Sequence, residues 1–359
     1  MLDEIWEEEE DQYDKAPGDI NSYLFGRSGR HPVVLAYMPG MGKSSAAAVA
    51  AHVRNSFPNI RLALVLGVCG GVPHPRGHNV GISFGDVIVS TGVVELDFGR
   101  LYDEGVIRKD TLLDRLGPPN IEIRWFLRKL QEWRAFERLQ LDFQSNITDI
   151  RDKGSHSWTF VPPEEPFPGV SEIQRCHDST QDVYEETPAS FHNQNYDIGC
   201  QHPSEKESHN SLSSFESQDH ITDSQIPTIH FGLVGSCDQV IRSASYRDGI
   251  AAQEGVIGFE MEGAGVWDSL PTIVVKGVCD YADDQKNKRW QRHASITAAA
   301  CAKAMLREWR STRKHPVRKR QIETQKDSDI APIMVRIPLH TLSHANKARA
   351  TSHSTTGQR

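Results

Sequence analysis

Six apolar, β-rich runs alternate with helical patterns along this chain, and that alternation limits its fold more than any other feature. The runs are 31–37 (HPVVLAY), 61–68 (RLALVLGV), 86–91 (DVIVST), 229–236 (IHFGLVGS), 255–261 (GVIGFEM) and 271–280 (PTIVVKGVCD). Most are continuously apolar rather than alternating, as strands buried on both faces are. Helical spacing occurs at 44–56, 121–143, 243–254, 262–269 and 293–310. Strands that alternate with helices build an α/β fold, a single mostly parallel or mixed sheet flanked by helices.

The pattern stops in two places. From about 145 to 226 the chain is rich in Ser, His, Gln, Glu and Pro, which predicts a disordered insertion. Its six histidines and the pairs Cys176/His177 and Cys200/His202 match no metal-ligand spacing, so no metal is expected. Residues 311–359 form a second polar stretch, with ten Lys/Arg against three Asp/Glu in a chain of net charge −8, leaving the body at −15. An acidic body argues against a nucleic-acid-binding core. The basic stretch Arg313 to Arg320 (RKHPVRKR) is the one place where nucleic acid or a nuclear import factor could bind. The predicted organisation is an acidic N-terminal segment (1–19), a domain over 20–310 interrupted at 145–226, and a basic disordered tail over 311–359.

No apolar run reaches the roughly 20 residues of a membrane span. The start, MLDEIWEEEEDQYD, is too acidic for a signal or transit peptide. The six cysteines are scattered without a C-x-x-C and read as reduced thiols of a cytoplasmic protein, with a nuclear location open through the basic tail.

One short stretch invites a different reading. Gly42-Lys43-Ser44, between a strand and an alanine-rich helix, looks like the end of a phosphate-binding loop. That motif requires a first glycine at 37, where the chain has Tyr37. No acid ends the next apolar strand to hold a metal. A nucleoside triphosphatase is therefore disfavoured, and the stretch reads as a tight turn whose Ser44 or Ser45 caps the helix.

Three other stretches are better placed for chemistry, near strand ends. Gly70 and Gly71 in LGVCGGVP let backbone approach a ligand closely. Glu260 and Glu262 in GFEMEGAG stand where an apolar strand meets a small-residue helix, and a carboxylate there can accept from two sugar hydroxyls. Asp280 ends the most apolar strand, a position suited to protonating a leaving group. The alternatives are a plain turn for the glycines, and caps or salt bridges for the acids.

LGVCGGV, FGDVIVS, GLVGSCDQVI, FEMEGAG and GVCDYADD, taken in order, resemble the nucleoside phosphorylase superfamily, above all its methylthioadenosine/S-adenosylhomocysteine nucleosidases and their fungal relatives. The resemblance covers roughly 20–143 and 227–310. It implies cleavage of the N-glycosidic bond of a purine nucleoside without a cofactor. Glu262 would hold the ribose hydroxyls and Met261 would pack on the sugar. Asp280 would act on the base, whose edge would meet the backbone of Val240 and Ile241. Cys69, Gly70 and Gly71 would line the pocket near the nucleophile. Gly85 stands where many phosphorylases carry a phosphate-binding arginine, so water is expected to attack rather than phosphate. The family opens with a strand ending in a glutamate, and nothing before PVVLAY reads as one. The sheet is expected to lack that strand. A phosphorolytic enzyme and a nucleoside-binding module without turnover stay open as alternatives, as does a homo-oligomer.

Overall fold

The computed structural model describes residues 2–6, 15–78, 80–103, 105–111, 113–153, 226–286, 288–310 and 333–336. Its strands are β1 (Glu4–Ile5), β2 (Tyr23–Ser28), β3 (His31–Tyr37), β4 (Ala63–Gly71), β5 (Val87–Glu95), β6 (Gly99–Tyr102), β7 (Gly105–Arg108), β8 (Ile229–Ser236), β9 (Val256–Glu260), β10 (Thr272–Asp280) and β11 (Ile333–Arg336). The helices are α1 (Lys43–Ser56), α2 (Ile121–Leu130), α3 (Trp133–Lys153), α4 (Ala244–Glu254), α5 (Gly263–Trp267) and α6 (Gln291–Glu308). All of them lie in the unit Met1–Phe167 with Pro227–Arg359.

Nine strands form one sheet in the order β1-β2-β3-β11-β4-β10-β5-β8-β9, and β6 and β7 pair separately as a hairpin. The sheet is mixed. β3, β11, β4 and β10 run parallel, and β5 meets β10 antiparallel. β8 and β9 follow β5 in parallel. β9 then folds back on β4, with Gly70 opposite Phe259 and Gly71 opposite Gly258. β4, β10, β5, β8 and β9 therefore close into a ring. Of the continuous apolar runs, β10 and β9 are buried throughout, whereas β5 and β8 have partly exposed positions in their middle.

All nine residues of β10 are buried, as its apolar sequence requires. On one face Ile273 and Val275 join Leu62 and Leu64 under α2, α3 and α6. On the other, Val274 joins Ala63 and Val65 under α1 and α5. The result is three layers. The helices obey the same logic: α2 buries Ile123, Phe126, Leu127 and Leu130, the stripe of a 3.6-residue repeat, and the Asn120 side chain caps it by accepting the Ile123 N–H at 2.9 Å.

The structure moves several sequence-based boundaries. Residues 145–153, expected to open the insertion, belong instead to α3, which runs to Lys153 and buries Asn146 and Ile147 against the core; residues 154–225 lie outside the described residues. The Asn146 amide donates to the Ala300 carbonyl at 3.1 Å. The acidic start is not wholly frayed: Glu4–Ile5 pairs with β2, and the N–H of Asp3 donates to Arg27 at 2.8 Å. The tail expected to be disordered from 311 contributes Ile333–Arg336 to the middle of the sheet, between β3 and β4. The four cysteine and histidine positions named above, and Arg313 to Arg320, lie outside the described residues.

Candidate functional site

Two polar centres lie four residues apart along β10, Lys276 and Asp280, a separation of about 13 Å at the usual strand rise. Their surroundings differ in chemistry.

The first centre is built where β9 ends and α5 begins. Lys276 is fully buried, and its Nζ lies 2.7 Å from Glu262 Oε2 and 3.3 Å from Glu260 Oε2. Burial alone would push the lysine down, but the carboxylates of Glu262 and Glu260 outweigh it and raise its pKa. Burial pushes Glu260 up, against the opposing pull of Lys276. The Glu260 carboxylate accepts the N–H of Glu262 at 3.0 Å and of Gly263 at 2.9 Å, so it organises the first turn of α5. Glu262 is the residue that precedes that helix, and its second oxygen accepts the Gly42 N–H at 3.4 Å.

Gly42 and Lys43 open α1, the turn that imitates a phosphate loop. Neither Ser44 nor Ser45 caps it; no side chain accepts from within this turn. The helix start meets carboxylates from distant parts of the chain. Asp238 Oδ1 accepts the Lys43 N–H at 2.7 Å, and Lys43 Nζ pairs with Glu95 at 2.5 Å and with Asp97. Asp97 in turn accepts the Asp238 N–H at 2.8 Å. The negative charge that helix N-termini favour is thus supplied internally. Counting Glu95, Asp97, Asp238, Glu260 and Glu262 against Lys43 and Lys276, this connected network carries a formal excess of three negative charges.

The second centre surrounds Asp280, which is 8% exposed. Its Oδ1 accepts the Ala282 N–H at 2.9 Å and lies 3.1 Å from Lys286 Nζ; its Oδ2 accepts the Cys279 thiol at 3.3 Å. Ala282 has φ +56°, the left-handed region that non-glycine residues rarely occupy. Phe84, Tyr281 and Trp290 stand beside it, with ring centroids of Phe84 4.4 Å from Tyr281 and 5.6 Å from Trp290. Buried Arg247 of α4 holds this segment by donating to the Tyr281 carbonyl at 2.8 Å.

The structure divides the sequence-predicted residues between the two centres, with Met261 and Glu262 at the first and Gly70 and Ile241 beside the second. A Cβ on Gly70 would come within 2.9 Å of Asp280 Oδ1 and of the Ala282 Cβ. One on Gly71 would meet Val278 at 2.9 Å. The absence of side chains at these glycines lets Asp280, Ala282 and Val278 pack against the β4 backbone. Cys69 is buried, and burial pushes its thiol and that of Cys279 up, which favours the neutral form of both. Ile241 packs in one cluster with Phe259 and Ala282, so it lies on the Asp280 side, while neighbouring Val240 is exposed. Met261 is half-buried between Glu260 and Glu262. Gly85 has φ +88°, and a Cβ there would lie 2.8 Å from His293 Nε2.

Sequence reasoning missed Lys276, Lys286, Asp238, Glu95 and Asp97. Lys276 had a signal: a lysine inside an otherwise apolar strand is buried only if paired. Lys286 had none. Of two surface cavities, of about 440 and 500 Å³, the second touches this network at Glu95. The first is lined by Phe57, Trp267 and Pro271, the second by Glu95, Arg108 and Leu233, and neither by Glu262 or Asp280. Among the described residues no cluster of three or more His, Cys, Asp or Glu could hold a metal, and no helix is long and apolar enough to cross a membrane.

Comparison with known proteins bears on identity. Residues 4–132 match the model of the phosphorylase superfamily. A nucleotide-binding leucine-rich repeat (NLR)-like protein of Hyaloscypha variabilis is 29% identical over 295 residues; the match takes in 80% of this chain and 26% of that relative, so this chain spans about a quarter of its length. Among solved structures, 5′-methylthioadenosine/S-adenosylhomocysteine nucleosidase from Neisseria meningitidis aligns with TM-score 0.45 at 16% identity, over 86% of this chain and 90% of the other. Futalosine hydrolase of Helicobacter pylori aligns with TM-score 0.44 at 14% identity, over 83% and 88%. The family match thus covers about a third of the chain, the part that carries β1 to β7 with α1 and α2, and the segments that hold Glu262 and Asp280 lie outside it.

Proposed function

We propose that this protein cleaves the N-glycosidic bond of a purine nucleoside, with water rather than phosphate as the nucleophile. The observation that carries the reading is the excess of negative charge around Glu262, which is tied through Lys276 to the same strand that ends in Asp280. Breaking a glycosidic bond leaves a cationic, oxocarbenium-like sugar, which fixed carboxylates stabilise. A carboxylate has about four lone-pair sites. Glu262 spends one on Lys276 and one on the long Gly42 contact, so it retains capacity for ribose hydroxyls. Asp280 acts at the other end, on the base, beside the aromatic rings of Phe84 and Tyr281.

Glu262→Gln tests the sugar half. The neutral amide should weaken nucleoside binding by about tenfold or more, the scale of one charge-assisted hydrogen bond, and leave free-base binding nearly intact. Calorimetric titration of both ligands, with melting curves to confirm folding, decides it. Equal affinity for nucleoside in the variant and the parent would place the sugar elsewhere.

The nucleophile is tested separately. Gly85 cannot be exchanged for a phosphate-binding side chain without displacing His293, which supports water. Free base should be released at the same rate with and without added phosphate. Strict dependence on phosphate, with ribose 1-phosphate as product, would select the phosphorolytic alternative.

A further inference from the structure

We infer that Lys286, held by Asp280, is the group that gives the departing base its proton, and that Asp280 acts on the base through it. This rests on the glycosidic reading above and adds the identity of the acid.

Donor and acceptor counting leads there. Every described contact of the Asp280 carboxyl is one in which it accepts: from the Ala282 N–H, from the Cys279 thiol and from the Lys286 ammonium. A carboxylate that accepts at both oxygens has no proton to hand on. The ammonium has three, and only one points to Asp280 at 3.1 Å. The Lys286 side chain is 20% exposed, so it stands at the edge of the site rather than in the core. Asp280 by contrast is fixed by the Ala282 N–H and the Cys279 thiol. A fixed acceptor beside a flexible donor is an arrangement for aiming the donor. Tyr281 and Trp290 pack on Phe84 with their rings tilted by 38° and 55°, and the three give this end of the site an aromatic, apolar side suited to a purine.

The step balances as follows. The C1′–N9 bond breaks and its electron pair goes into the purine. One Lys286 Nζ proton moves to N7, so the base leaves neutral. A water oxygen bonds to C1′, and solvent takes that water's extra proton. The neutral lysine recovers a proton from solvent before the next turnover.

The test uses nucleosides that do not need the proton. Methylation at N7 fixes a positive charge on the purine, which then departs as a neutral base unaided. Adenosine, inosine and guanosine are compared with their 7-methyl counterparts in the full chain. Lys286→Met removes the donor; Lys286→Arg keeps the charge beside Asp280 but cannot release a proton. Both should slow cleavage of the unmethylated nucleosides by about 10²- to 10⁴-fold, the usual contribution of a general acid. Cleavage of the 7-methyl substrates should stay within about threefold, far below that range. Equal losses on both substrate sets, or a Lys286→Arg enzyme as fast as the parent on unmethylated nucleosides, would overturn the assignment while leaving the glycosidic reading intact. A parent protein that cleaves neither set would overturn the reading and the assignment together.

Discussion

Replacing Lys276 by methionine is expected to destabilise the protein by about 3–5 kcal/mol at neutral pH, the cost of stranding buried charge. The lysine is fully buried and is the cation shared by Glu260 and Glu262, whose side chains are 0% and 4% exposed. Removing it leaves two carboxyl groups facing each other in the core. The pH dependence follows from Glu260, whose pKa burial has already raised. A group raised on folding contributes stability that is fully present below its unfolded value and is lost as pH climbs through the folded one. Without Lys276 the folded value rises further. The gap between variant and parent should therefore shrink as pH falls towards about 4, the ordinary glutamate range, and widen above it. Urea unfolding at pH 5 and pH 8 measures this. A variant as stable as the parent at pH 8, or a gap that grows in acid, would show that the pair is not what neutralises this centre. Glu262→Gln in the same background should recover part of the loss.

The second large effect concerns β11. Truncation after Arg310 is expected to abolish cooperative unfolding, whereas truncation after Arg336 retains the strand and isolates its contribution. β11 matches four residues of β3, Val34–Tyr37, and four of β4, Ala63–Leu66, and it is parallel to both. Most of those neighbours are 0–7% exposed. Without the strand, two rows of backbone N–H and C=O groups lose their partners inside the core. At about 1 kcal/mol net for each hydrogen bond, the loss is of order 5 kcal/mol, comparable with the whole stability of many domains. Circular dichroism melts of the two truncated chains provide the comparison. If the shorter chain melts as sharply and as high as the longer, the slot between β3 and β4 does not need a strand.

The two cases show what sequence patterns carry and what they omit. The strands at 31–37, 229–236 and 271–280 were legible because they are long, continuous and apolar, and so were α2 and the start of α1. β2 was not, because YLFGRS mixes Gly26 and Arg27 into a short run; its glycine leaves room for the Glu4 carbonyl of β1. β11 is a four-residue strand in a polar tail, and its place depends on two other strands that are hundreds of residues away. At the site, Glu260, Glu262 and Asp280 stood out as acids where apolar strands end. The residues that organise them did not. A lysine such as Lys286, in a polar loop, has no local mark of the carboxylate it will meet. The sign of each charge is written in the sequence, but its partner is chosen by the closure of the ring.

The start of α1 has a consequence for reading relatives of this protein. A glycine-lysine-serine turn at a helix start creates a need for an anion, and the tripeptide does not say who provides it. Here Asp238, 195 positions away, provides it within the same chain. A homologue that kept Gly42, Lys43 and Ser44 but carried a neutral residue at 238 would present open amides at the same turn, ready for a phosphate from outside. The informative position for deciding between the two is the distant acid, and a motif search confined to the loop would classify both proteins alike.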